Sequence, residues 1–142
     1  VLLEDFYTDD GLAHTVRKPD EILTAVTVPP CGHRTLYLKE TARKGNDFSY
    51  GVIAAVADGS GDQTSNIRLV LGSLITQPLL LQEPARIAAE QGLNDTAIKA
   101  AMEATRAELG NLTNLYTPAI YKSRLGRTLV RLALEGLREL PA

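Results

Sequence analysis

The texture of the chain changes once, near residue 78, and that change constrains the fold more than any motif does. Before it lie β-branched, alternating segments; after it the residues are rich in Ala, Leu, Glu and Arg. Strands gathered first and helices gathered second predict an α+β architecture rather than repeating βαβ units. No internal repeat or low-complexity tract interrupts either half. At 142 residues the chain has the size of one domain. A chain of that size buries roughly 70% of its unfolded surface around a single core.

The alternation is clearest over Ile22 to Val28, where Ile22, Thr24, Val26 and Val28 share one face of a predicted strand. Pro29 and Pro30 end it, because proline cannot donate to a sheet ladder. A second strand is expected over Thr35 to Ala42, with Leu36 and Leu38 on one face and Tyr37, Lys39 and Thr41 on the other. The charged loop Arg43 to Asp47 (RKGND) follows. Val52 to Ala57 is apolar throughout and predicts a central strand covered on both faces. DGSGD over 58–62 is a turn, and Asn66 to Leu74 a fourth strand. Short connections predict mainly antiparallel neighbours.

Three helices are expected next. The first, about Leu80 to Glu90, tolerates Pro84 only in its first turn. The second runs from Asp95 to Leu109, with Ile98, Met102, Thr105 and Leu109 on one stripe and Gly110 as its stop. The third opens on Thr117 and Pro118, as N-cap hydroxyl and first-turn proline, and continues to about Arg138. Its predicted buried stripe is Tyr121, Leu125, Leu129, Leu132 and Leu137. The expected fold is an antiparallel sheet of three to four strands followed by three helices packed on one face. Strands would span about 22–74 and helices about 80–138 of one domain covering 1–142.

Composition removes several function classes. Fifteen Lys and Arg against 17 Asp and Glu give a net charge of −2, without the basic excess of a nucleic-acid binder. No apolar run approaches the length of a membrane span. The one cysteine, Cys31, cannot form an internal disulfide, which favours a reducing, cytoplasmic setting. The chain opens on Val1, with no initiator Met and no signal-peptide pattern, as expected for a processed product or a piece of something longer. The glycines of DGSGD precede a strand rather than a helix, so they make a hairpin turn and not a phosphate cradle. Cys31, His33 and His14 are too few for a structural zinc site, so no metal site is expected. Neither a P-loop nor a G-x-S-x-G nucleophile elbow occurs, and no residue is assigned as catalytic. Arg124, Arg127, Arg131 and Arg138 share one side of the last helix, as a solvated face or a contact for an acidic partner. The most distinctive local feature is the loop Arg43 to Asp47, directly after the strand that bears Lys39.

The order of these segments adds a further reading. DFY…DDG, then PDEILTAVTVP, then TLYLKETARKGNDFSYGVIAAVAD resembles the C-terminal domain of the FAD-binding medium subunit of molybdenum hydroxylases. That family includes xanthine dehydrogenase, carbon monoxide dehydrogenase and 4-hydroxybenzoyl-CoA reductase. Arg68…Leu71-Gly72…Pro78 and Tyr116…Ala119-Ile120-Tyr121-Lys122 extend the similarity over nearly the whole chain. The resemblance implies an oxidoreductase component in which FAD passes electrons between iron–sulfur clusters and an external carrier. The molybdopterin would lie on a large partner subunit and the 2Fe–2S clusters on a small one, in a possible dimer of heterotrimers.

It places Leu23 and Lys39 against the flavin, and Arg43 and Asp47 in the loop beside it. A lysine near the flavin would stabilise the negatively charged reduced form and raise its potential; Asp47 would act the opposite way. The sequence departs from the family at Gly72-Ser73, where Gly-Gly is usual, and at Tyr121-Lys122, where Tyr-Arg is usual. The Gly-rich FAD-binding segments are also absent from it, so FAD would be shared with upstream domains. The alternative is a non-catalytic dimerisation or interaction domain of a flavin-linked reductase.

Overall fold

The structure, a computed structural model, describes residues 1–30, 32–43, 45–59, 64–110 and 117–141. Four strands come first: β1 (Arg34–Thr41), β2 (Ser49–Asp58), β3 (Ser65–Gly72) and β4 (Leu79–Leu81). They form one antiparallel sheet in the order β1-β2-β3-β4. Three helices follow, α1 (Glu83–Gln91), α2 (Asp95–Leu109) and α3 (Ala119–Glu139). The α+β class and the order of elements are those expected from the sequence.

The register explains which side is core. Leu36, Ala55, Leu69 and Leu81 lie side by side across the four strands, next to the row Leu38, Ile53, Leu71 and Leu79. Against these apolar rows α3 packs on β1 and β2, and α1 on β3, while α2 rests on both other helices. Leu74, Val130, Leu134 and Leu137 complete the buried centre. The opposite face carries the rows Tyr37, Ala54, Val70, Leu80 and Lys39, Val52, Gly72, and no helix covers it. Residues 1–16 reach its far edge: Tyr7 bridges Thr15, Asp9 accepts a hydrogen bond from Thr76, and Leu3 and Tyr7 line a concavity with Val70 and Leu80.

Polar contacts fix the helix ends. The Glu108 carboxylate of α2 accepts from the backbone N–H groups of Gln82 and Glu83, at 3.0 and 2.7 Å, and so caps α1. Asn94 caps α2, its side-chain oxygen accepting from the Ala97 N–H at 2.9 Å. Such a cap contributes about 1 kcal/mol. At the far end of α3 the Arg34 guanidinium donates to the carbonyls of Leu137 and Leu140 and to the Thr64 hydroxyl. That ties the start of β1 to the end of the last helix.

Several expectations need correction. Ile22 to Val28 is not a strand: the segment pairs with no described strand and leaves Ile22, Leu23, Val26 and Val28 exposed. Alternation gives a segment two faces, but a strand also needs a neighbouring edge for its hydrogen bonds. β2 is central yet covered on one face only, with Ala54 exposed between buried Ile53 and Ala55. Leu80 belongs to the short edge strand β4, and α1 starts after it with Pro84 in its first turn. Pro118, not Thr117, takes the N-cap position of α3. The turn residues 60–62, Cys31 and Tyr116 lie outside the described residues.

The buried stripe of α3 holds at Leu129 and Leu137 but not throughout. Tyr121 and Leu132 are 42% and 40% exposed, Tyr121 meeting Tyr50 edge-on, while Lys122, Gly126, Val130, Ala133 and Leu134 face inward. The Lys122 stem is buried and its Nζ donates to the Leu74 carbonyl at 3.0 Å. Burial pushes this ammonium below the usual lysine range. The folded chain then holds the proton less tightly than the unfolded one, so a cost present at neutral pH is relieved as pH rises toward 10.5. Denaturant titrations of wild type and Lys122→Met should therefore show wild type gaining stability on the variant as pH rises toward 10.5. A difference independent of pH would contradict the buried charge.

Candidate flavin-facing site

The site residues start from the end of β1. Lys39 lies on the open face, opposite Val52, and two residues after Tyr37, which is opposite Ala54. A β-bulge between Glu40 and Thr41 then breaks the alternation and bends the chain into the loop. Gly45, at φ +116°, takes a backbone conformation that side chains disfavour. The Asp47 N–H then donates back to the Gly45 carbonyl at 3.1 Å.

Three of the four expected residues converge there. The Lys39 Nζ donates to the Asp47 backbone carbonyl at 3.0 Å. The Arg43 Nε reaches the Asp47 carboxylate at 3.2 Å, and the other carboxylate oxygen accepts from the Phe48 N–H at 2.9 Å. The Thr41 hydroxyl donates to the Arg43 carbonyl at 2.7 Å, which closes the turn. Asp47 is the organiser: its side chain is 16% exposed, that of Arg43 is 83% exposed, and Phe48 beside them is 93% exposed. Two cations and an aromatic ring thus stand at the end of the sheet face that carries Tyr37, Val52 and Ala54.

Leu23 is not brought into this cluster. It is 57% exposed and lines a concavity of about 420 Å³ with Leu3, Phe6, Tyr7, Ala25 and Val26. Tyr37 sharing a face with Lys39 was legible from alternation, whereas nothing in the sequence distinguishes the exposed Phe48 from a core phenylalanine. Ser73, where the family commonly has a second glycine, adopts φ +64° and shares a 2.7 Å hydrogen bond with the Ser49 hydroxyl. Of the four arginines on α3, Arg127 pairs with Glu103, Arg131 with Glu135 and Arg138 with Asp95. Two of them therefore clip α3 to α2.

The donor set fits a planar, anionic ring. Lys39 keeps N–H donors beyond the one given to Asp47, Arg43 presents its outer nitrogens to solvent, and the adjoining face carries Val52, Ala54 and the Tyr37 ring. The cluster stands at one end of a four-stranded antiparallel sheet that three helices back on its other face. The chain belongs to the CO dehydrogenase flavoprotein C-terminal domain family, whose model matches residues 36–137.

Individual relatives agree. The chain is 28% identical over 137 residues to the carbon monoxide dehydrogenase medium chain of Afipia carboxidovorans, covering 95% of this chain and 46% of that one. CO dehydrogenase from Oligotropha carboxidovorans superposes with a TM-score of 0.77 at 27% identity, over 94% of this chain and 46% of its own. Quinoline 2-oxidoreductase from Pseudomonas putida 86 shares the fold, with a TM-score of 0.81 at 16% identity over 95% and 46% of the two chains. The chain thus spans about half the length of the relatives it matches.

Proposed function

We propose that this chain is the C-terminal domain of the FAD-binding subunit of a molybdenum hydroxylase, forming one wall of the flavin site. The observation that carries the proposal is the gathering of Lys39 and Arg43 around Asp47, at the end of an open sheet face, in a domain of a flavoprotein family. Bound FAD would supply electron exchange between iron–sulfur clusters and an external carrier. The molybdopterin would be held by a large partner subunit and the 2Fe–2S clusters by a small one, in a cytoplasmic complex built as a dimer of heterotrimers.

Within that assembly the chain's own residues bind and orient. The Asp47 carbonyl steadies Lys39, so the ammonium is held at the edge of the apolar face rather than left to sample solvent. The Asp47 carboxylate is already engaged by Arg43 and the Phe48 N–H, so it organises the loop instead of opposing the lysine. Leu23 offers an apolar contact from a separate segment. Flavin absorbance of the purified protein that carries this chain tests the reading. One flavin per chain is expected, and a folded, flavin-free protein would contradict it.

A further inference from the structure

Tyr37 stands two residues before Lys39 on the open face of β1, opposite Ala54 of β2. Same-face neighbours on a strand lie roughly 7 Å apart. The Tyr37 ring is 61% exposed, and among the described residues it makes no hydrogen bond and no ring contact. Its neighbours leave room beside it. Ala54 is small and exposed, and the adjacent row runs from Lys39 over Val52 to Gly72, where a Cβ would stand 2.8 Å from the Val52 Cγ2. A planar group can therefore lie against the tyrosine without displacing a bulky side chain.

Polarity changes along this face. Lys39 and Arg43 stand at the loop end, and back along β1 comes Tyr37, beside Ala54 and Val52. A flavin has the same order of chemistry, with a pyrimidine edge that takes negative charge on reduction and an apolar benzenoid edge on the far side. Cations matched to the first edge leave the second for Tyr37. The reverse orientation would set the apolar edge among the charges of the loop and leave the pyrimidine oxygens without these donors.

We propose that Tyr37 is a further flavin contact, its ring packed against the benzenoid edge while Lys39 serves the pyrimidine edge. The proposal deepens the reading of this chain as a flavin wall and rests on it. Aromatic pairs contribute beyond the area they bury. A tyrosine in contact with a flavin also quenches its emission, by reversible electron transfer to the excited ring.

Titration of the deflavinated protein that carries this chain with FAD tests the contact, with flavin emission as the second readout. Tyr37→Leu should bind FAD roughly two- to tenfold more weakly than wild type. Its bound flavin should also emit several times more strongly. Tyr37→Phe keeps the ring but is a poor electron donor, so it should keep the affinity and still show the raised emission. Unchanged affinity and emission in Tyr37→Leu would overturn the inference, also where that variant melts at a lower temperature, since the tyrosine would then pack against protein. The midpoint potential of Lys39→Met separates this failure from that of the flavin wall. If Lys39→Met shifts the potential while Tyr37→Leu changes nothing, the wall stands and the Tyr37 contact falls. If neither variant moves its readout, both fall.

Discussion

Gly126→Leu should lower the stability of the fold by about 3 kcal/mol, read as a lower urea midpoint at unchanged slope. A Cβ at this position would stand 2.6 Å from the Leu109 Cδ1 and 3.1 Å from the Leu74 Cδ1, with the Leu71 Cδ1 at 3.5 Å. Those three leucines are buried, so none can swing into solvent to make room. The hydrogen at position 126 is therefore what lets α3 approach α2 and the end of β3 together. Gly126→Ala adds one methyl but gains about 1 kcal/mol of helix propensity, which offsets part of the crowding. Its net effect should be well below that of leucine. A leucine variant as stable as wild type would mean that the helices are not packed as described.

Truncation of the core should cost at least as much. Leu134→Ala removes a fully buried side chain from the inward face of α3 and should destabilise by about 4 kcal/mol, the lost burial plus the cavity left behind. That is a large share of the roughly 5–15 kcal/mol that holds a domain together. Leu132→Ala is the matched comparison, since Leu132 is 40% exposed two residues away on the same helix. It should cost under about 1 kcal/mol. Equal losses at the two positions would contradict the observed stripe.

That comparison also shows where sequence reasoning ran out. Helix α2 was legible over the residues it occupies, because its periodicity and its Gly110 stop are local signals. The stripe of α3 was legible at Leu129 and Leu137 and was missed where a lysine and a glycine sit on it. Lys122 is inside with its ammonium donating a hydrogen bond to the Leu74 carbonyl, 48 residues earlier, and Gly126 is inside because Leu109 fills the space beside it. Neither neighbour can be read from helical spacing. Similarly, Ile22 to Val28 has the pattern of a strand, but pairing depends on an edge elsewhere. The apolar run of β2 suggested two covered faces, whereas small Ala54 tolerates exposure.

The candidate site was legible in part. Lys39 and the loop Arg43 to Asp47 stood out by charge and by resemblance. Their meeting on Asp47 depends on Gly45, a glycine already visible in the RKGND loop, and on the bulge at Glu40 and Thr41, which has no clear sequence signal.

The most direct measurement of the flavin-wall reading is the midpoint potential of bound flavin in wild type, Lys39→Met and Lys39→Arg. A cation at contact distance, about 4 Å, stabilises added negative charge by roughly 1–4 kcal/mol. For a two-electron couple that corresponds to a shift on the order of 20–80 mV. Lys39→Met should lower the potential by that much with flavin still bound, and Lys39→Arg should keep most of the wild-type value. An unchanged potential in a flavin-loaded Lys39→Met protein would contradict the placement of this wall against the flavin.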